Sequence, residues 1–120
     1  MKYTITGILL LLILAVPVLS CTGSSIEKQL KAGDIFREQK QWDSALSEYN
    51  KVIEANPSSA IAYHRRGTVF LEKRQLELAL ADFTRALELK PDYAEAYTDR
   101  AKAAWTDWLE HSRLDAAQTV

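Results

Sequence analysis

The stretch Gly33–Pro57, GDIFREQKQWDSALSEYNKVIEANP, decides the fold because a variant of it recurs 34 positions later, as GTVFLEKRQLELALADFTRALELKP over Gly67–Pro91. Aligning residues 26–59 with 60–93 gives 8 identities in 34 positions. Gly33 falls on Gly67, Phe36 on Phe70, Ala45 on Ala79, Leu46 on Leu80 and Pro57 on Pro91, and Tyr49 is matched by Phe83. These are small residues that let helices approach, aromatics that fill the space between them, and a proline that stops the unit. A fixed period in this range marks a solenoid, in which each unit buries its apolar face against its neighbours.

Each copy reads as two helices, because its apolar residues recur at helical spacing. Leu30, Gly33 and Phe36 mark the first helix of copy one, up to about Gln39. Ala45, Leu46, Tyr49, Val52 and Ile53 stripe the second, with Asp43 as its expected cap. Asn56-Pro57 ends it, since proline disfavours helical backbone in the residue before it. Tyr63, Gly67, Phe70 and Leu71, then Leu76, Ala79, Leu80, Phe83, Ala86 and Leu87, repeat the scheme before Lys90-Pro91. There is no period-two alternation, so the fold class is all-α.

Tyr63-x2-Arg66-Gly67-x2-Phe70, then Ala79-x3-Phe83, then Pro91 resembles the signature of the tetratricopeptide repeat (TPR), whose length is also the period found here. Gln29-x2-Ala32-Gly33-x2-Phe36, Ala45-x3-Tyr49 and Pro57 form the first copy. Ala94, Ala96, Tyr97 and Arg100 begin a third. The resemblance implies a short solenoid of antiparallel helix pairs: one repeat over residues 26–59, a second over 60–93, a third TPR-like capping helix over 94–114 and a tail over 115–120. The chain departs from the pattern at Gln29 in place of an aromatic, at Ala32 and Arg66 before the glycines, and at Lys40 and Arg74 in turns where glycine is common. In the third segment Tyr97, Ala101, Ala104, Trp105, Trp108 and Leu109 form an apolar stripe. It is expected to cap the end of the array, with Trp105 or Trp108 as an alternative binding anchor. Two and a half repeats lie at the lower limit for a stable array, so the part from Ser24 onward is expected to self-associate or to be only marginally stable.

The N-terminus has a different character. After Lys2, residues 4–19 are uncharged and mostly apolar, followed by Ser20-Cys21 and the small polar Thr22-Gly23-Ser24-Ser25. This is the anatomy of a signal peptide over residues 1–20. Val18-Leu19-Ser20-Cys21 resembles a bacterial lipobox, which implies cleavage before Cys21 and lipidation of its thiol. Two acyl chains suffice for stable anchoring. An uncleaved anchor helix and plain secretion are the alternatives. A linker over residues 21–25, about 14 Å for four extended residues, would hold the folded part close to the outer surface of a membrane in a bacterial cell envelope.

Composition limits the function. The net charge is −1, with 15 basic and 16 acidic residues, so no basic face for nucleic acid is expected. One cysteine and two histidines give no disulfide and no Cys/His metal cluster, and no cofactor is called for. The chain has no glycine-rich phosphate loop, no HExxH, no nucleophile–base pair and no motif of paired carboxylates, which argues against an enzyme. What the resemblance implies instead is a protein or peptide partner held in the concave groove lined by the first helix of each repeat. By register the groove draws on Glu27, Leu30, Lys31, Asp34, Arg37, Glu38, Ile61, His64, Arg65, Thr68, Leu71, Glu95, Thr98, Asp99, Lys102 and Trp105. Arg37, His64, Arg65, Thr68, Lys102 and Trp105 are its candidate binding residues. TPRs that clamp the C-terminal carboxylate of chaperones carry Lys and Asn in the first helix, Asn in the second, and Lys and Arg in the third. Leu30, Asp34, Arg65, Glu95 and Asp99 stand at those positions, so chaperone-tail binding is not expected. The reading is therefore a membrane-anchored interaction module, with a purely structural small subunit as the alternative.

Overall fold

The computed structural model describes residues 23–119. The expected signal peptide and Cys21 lie outside them. Five helices follow in order: α1 over residues 23–38, α2 (Trp42–Ala55), α3 (Ala60–Glu72), α4 (Leu76–Leu89) and α5 (Ala94–Gln118). No described residue is in a strand. α1 packs on α2 and α3 on α4 as antiparallel hairpins, and α5 packs on α4. The chain thus folds as the short solenoid its repeat implies.

The glycines set the spacing within each pair. A Cβ placed on Gly67 would fall 2.8 Å from Phe83 Cε1, and one on Gly33 would run into the Tyr49 ring. Tyr49 and Phe83 are fully buried on top of them, beside the equally buried Ala45 and Ala79. The core is correspondingly layered. Ala45, Tyr49 and Val69 gather Leu30, Phe36, Trp42 and Leu46. Ala79, Phe83 and Ala103 gather Phe70, Leu71 and Leu80. Ala86, Leu87 and Ala96 gather Tyr63 and Tyr93. Leu30 and Leu71, placed in the groove by register, thus lean onto the core instead. Their size lets them reach past the small residues of the neighbouring turns.

The turns within the hairpins are the same motif twice. Lys40 N–H donates to the Arg37 carbonyl at 3.0 Å and Gln41 N–H to the Phe36 carbonyl at 2.8 Å. Arg74 and Gln75 repeat this on Leu71 and Phe70, at 3.0 and 2.9 Å. These paired bonds form a Schellman ending, which requires a left-handed residue. Lys40 (φ 58°) and Arg74 (φ 62°) take that conformation without being glycine, a strain of about 1 kcal/mol each. Lys40→Gly is therefore expected to stabilise the fold by about 0.5–1 kcal/mol, read as a higher urea midpoint at unchanged slope. A lower midpoint would count against strain at this turn.

Three boundaries differ from the sequence reading. Residues 23–25, expected in the linker, already belong to α1, since Gly23, Ser24 and Ser25 lower helix propensity without blocking the helix as a proline would. Asp43 does not cap α2: the helix starts at Trp42 after Gln41, with no side-chain cap. Asp43 sits in the first turn, where its charge suits the helix dipole and its carboxylate accepts from Lys73 Nζ at 2.7 Å. The tail is helical as far as Gln118, because Asp115-Ala116-Ala117-Gln118 contains no breaker and two of the best helix formers.

α5 packs on α4 as the expected third TPR-like helix, but not with the side that its apolar stripe predicts. α5 meets the array through Ala96 and Ala103, both fully buried. Tyr97, Ala101, Ala104, Trp105, Trp108 and Leu109, the stripe expected to cover the last apolar face, are all exposed. The reason is register. α5 is a first helix of a repeat, and its glycine position, Ala101, faces the place where a second helix would return. None returns. The position equivalent to Lys40 and Arg74 is Trp108, and α5 runs straight through it. The position equivalent to Tyr49 and Phe83 is Ala117, so no aromatic is present to hold a returning helix down.

Candidate functional site

The first helices of the repeats, α1, α3 and α5, line one side of the array, and polar side chains bridge them there. Between α1 and α3, Asp34 accepts from Arg65 Nη1 at 2.5 Å and from the Tyr49 hydroxyl at 2.7 Å. Burial first, then the bond to Asp34, pushes the Tyr49 phenol well above its ordinary value, so it remains a donor. Between α3 and α5, His64 Nε2 lies 2.9 Å from Asp99 Oδ2 and its Nδ1 2.9 Å from the Tyr93 hydroxyl. The imidazole also packs against the Phe83 and Tyr93 rings, with centroids 5.7 and 4.8 Å away. Lys102 Nζ donates to the other Asp99 oxygen at 2.9 Å.

Asp99 is therefore the hub of the α3–α5 seam. Burial alone would raise its pKa, but hydrogen bonds from Lys102 and His64 outweigh that and hold the carboxyl below its ordinary value of 3.8. A depressed carboxyl contributes stability that is present above its unfolded pKa and is lost as pH falls through the folded one. Acid unfolding of the wild type is thus expected to steepen below about pH 4. Asp99→Asn, already lacking the charge, should show a shallower slope there. Parallel slopes in urea titrations at several pH values would remove Asp99 from this role.

The candidate groove residues consequently divide. Arg65 is neutralised by Asp34, and His64 and Lys102 converge on Asp99. Thr68 spends its hydroxyl on the His64 carbonyl at 2.9 Å, within α3. Trp105 stacks on Trp108, with centroids 5.1 Å apart, as part of the exposed stripe of α5. Arg37 differs from the other cations. It makes no ion pair among the described residues, and its Nε is buried without a hydrogen-bond partner there. It lines a cleft of about 290 Å³ with Glu38, Lys40, Trp42, Thr68 and Glu72, between the ends of α1 and α3 and the turn that follows α1. An unpaired guanidinium beside an indole suits a ligand segment that presents a carboxylate or carbonyl next to an apolar side chain.

Helical periodicity alone does not reveal these pairs. Asp34 and Arg65 lie 31 residues apart, and His64 and Asp99 lie 35 apart. Both separations fall near the repeat length, which is the signal that could have found them. Tyr93 and the Arg66–Asp82 pair lacked even that. Arg66, one of the departures from the repeat pattern, donates through Nε and Nη2 to both Asp82 oxygens at 2.7 Å and through Nη1 to Asn50 at 2.8 Å. Its guanidinium also covers the Tyr63 and Phe70 rings at 5.5 and 5.8 Å. A basic residue before the glycine is thus a tie between α2, α3 and α4.

Among known proteins, the family model described as tetratricopeptide repeat matches residues 30–94 and again 64–118. No curated protein matches the chain. Solved structures do. The TPR domain of Arabidopsis OM64 is 27% identical, with a TM-score of 0.68 over 71% of this chain and 70% of that one. The first TPR of Spaghetti (RPAP3), bound to the HSP90 peptide SRMEEVD, is 29% identical, with a TM-score of 0.63 over 65% of this chain and 62% of that one. The TPR2B domain of yeast Sti1, in its pHsp70 complex, shares the fold at 24% identity and a TM-score of 0.69, over 77% and 74% of the two chains.

Proposed function

The chain belongs to the tetratricopeptide repeat family, and from that premise we propose that it is a membrane-anchored protein-interaction module, an adaptor that holds a partner in a bacterial envelope complex. The observation that carries the interaction reading is Arg37: the one candidate groove cation without a carboxylate partner among the described residues, set in an open cleft beside Trp42 and Thr68. The related domain of RPAP3 bound to a peptide supports peptide recognition as the mode. The chemistry of the tail it would take differs, however. Asp34 and Asp99 stand where chaperone-clamping repeats keep amide or basic side chains, and both are already engaged. A terminal carboxylate entering there would meet acid. The cleft at Arg37 favours an internal segment with an acidic and an apolar side chain adjacent. The anchor reading rests on the apolar run of residues 4–19 and on Cys21 within Val18-Leu19-Ser20-Cys21. No helix among the described residues is long and apolar enough to cross a membrane, so anchoring falls to the N-terminus.

One experiment tests both halves. Cells carrying the wild type, Arg37→Glu or Cys21→Ala chain are crosslinked, and the chain is captured from the membrane fraction. Arg37→Glu should lower partner recovery at least about tenfold by reversing the charge at the contact, equivalent to about 1.4 kcal/mol, while membrane association stays intact. Cys21→Ala should lose incorporation of labelled fatty acid and change its gel mobility, because the thiol is the acceptor and cleavage depends on it. Undiminished capture by Arg37→Glu would refute the cleft, and unchanged labelling and mobility for Cys21→Ala would refute the lipid anchor.

A further inference from the structure

The open face of α5 carries a pattern that Proposed function does not use. On one side of the helix stand Tyr97, Ala101, Ala104, Trp105 and Trp108, all exposed, with Trp105 and Trp108 at 62% and 57%. The opposite side holds Ala96 and Ala103 against α4, and Asp99 against His64. In the two complete repeats the equivalent face lies under the aromatic of a returning helix: Gly33 under Tyr49 and Gly67 under Phe83. On α5 the small positions are present, and the aromatics that would cover them lie on the same helix, a turn or two further on.

That arrangement is self-complementary. We propose that two copies of the chain pair through α5, antiparallel, about a two-fold axis passing between Ala104 and Trp105. In this register Ala101 of one copy lies opposite Trp108 of the other, and Ala104 lies opposite Trp105. Symmetry doubles both pairs, as an isologous interface requires. Each small residue then receives a large one, which is the packing Gly33 and Gly67 already show inside the chain. A parallel, in-register pair would set indole against indole and alanine against alanine, leaving gaps at every alanine. On one flank Arg100, whose guanidinium lies over Tyr97 at 5.4 Å, falls opposite Leu109 of the partner subunit, two residues or about 3 Å of helix rise from Asp107 of the partner subunit, a distance that the long arginine side chain spans.

The area is that of a weak dimer. Tyr97, Trp105 and Trp108 are 46%, 62% and 57% exposed, so each has about 100 Å² left of the area a whole aromatic buries, about 600 Å² for the two copies. The alanines and Leu109 carry this to about 800 Å², below the standard interface size and in the range of weak pairings. The pairing also covers the face of α5 that no other described helix covers.

The full chain in detergent micelles is examined by density-matched sedimentation, and a photo-crosslinking amino acid at position 101 reports the contact. The wild type should sediment as a dimer, with the crosslink mapping to the peptide that contains Trp108. Trp105→Ala/Trp108→Ala should weaken self-association at least tenfold with the far-UV circular dichroism unchanged, because neither indole supports the core. Ala104→Glu should do the same by placing a charge at the centre of the contact. The apolar N-terminus is identical in every variant, so association driven by it would survive all of them and overturn the proposal. A monomeric wild type, a crosslink to a residue elsewhere on the chain, or capture of a different protein by a chain that is monomeric when purified would also overturn it. Arg37→Glu lies on another helix and should remain dimeric, so failure of the cleft and failure of the pairing are distinguishable.

Discussion

Phe83→Ala is expected to abolish cooperative unfolding of this protein, or to lower its melting temperature by at least about 12 °C. Phe83 is fully buried in α4, over Gly67 and between Ala79 and Ala103. Removing a buried phenylalanine ring destabilises by about 3–5 kcal/mol, and the value depends on how well the site collapses. Here collapse is poor. Gly67, Ala79 and Ala103 have nothing that can swing into the space, and His64, which packs on the ring, is held in place by Asp99 and Tyr93. The loss falls on a fold of about 100 residues whose total stability is of order 5–15 kcal/mol. A short solenoid sits low in that range. At about 4–8 °C per kcal/mol for a domain of this size, even the smallest expected loss is conspicuous by circular dichroism. A shift under about 8 °C would mean that the α3–α4 seam tolerates the cavity and that the layered core is described wrongly.

The second large effect is electrostatic. Arg66→Ala should destabilise by about 3 kcal/mol, because it leaves the Asp82 carboxylate, 8% exposed at its side chain, without its bidentate partner. Breaking one side of a buried ion pair typically costs about 3–5 kcal/mol, since the remaining charge stays desolvated. The lower end applies here because Arg66 is 22% exposed and water reaches part of the site. The informative control is the double variant Arg66→Met/Asp82→Leu. With both charges replaced by apolar groups of similar volume, stability should return to within about 1 kcal/mol of the wild type. If the double variant is as unstable as the single one, the pair contributes through the Asn50 bond and the cover over Tyr63 and Phe70, not through charge compensation.

Both predictions concern residues at the same point of the repeat, yet they were legible to different degrees. Gly67, Ala79 and Phe83 stand out because each recurs or is matched one period away, and their roles follow from size alone: a small residue twice in register with an aromatic implies a close helix pair. Arg66 was visible only as a departure, a basic residue where a large apolar one is usual. Its partner Asp82 lies on the next helix, and the distance between helices is not a quantity that periodicity contains. The groove behaved likewise. Register placed Arg37, His64, Arg65, Thr68 and Lys102 on first helices, but it could not tell which of the cations were cancelled by Asp34 and Asp99 and which remained available.

The sequence by itself determined the hairpins, their small-against-aromatic seams and their proline ends, because each of these is written at fixed spacing inside one helix or one turn. Only the tertiary structure decided what α5 does. Its apolar stripe is the strongest in the C-terminal third, and by hydrophobicity alone it should face the array. The array instead takes Ala96 and Ala103, because the side of a first helix that meets the preceding α4 is fixed by the course of the chain out of the Lys90–Tyr93 turn. Among the described residues no helix turns back over the other side, because α5 continues through Trp108 to Gln118. Burial is decided by which neighbour exists in space, and a sequence pattern records only which residues would accept one.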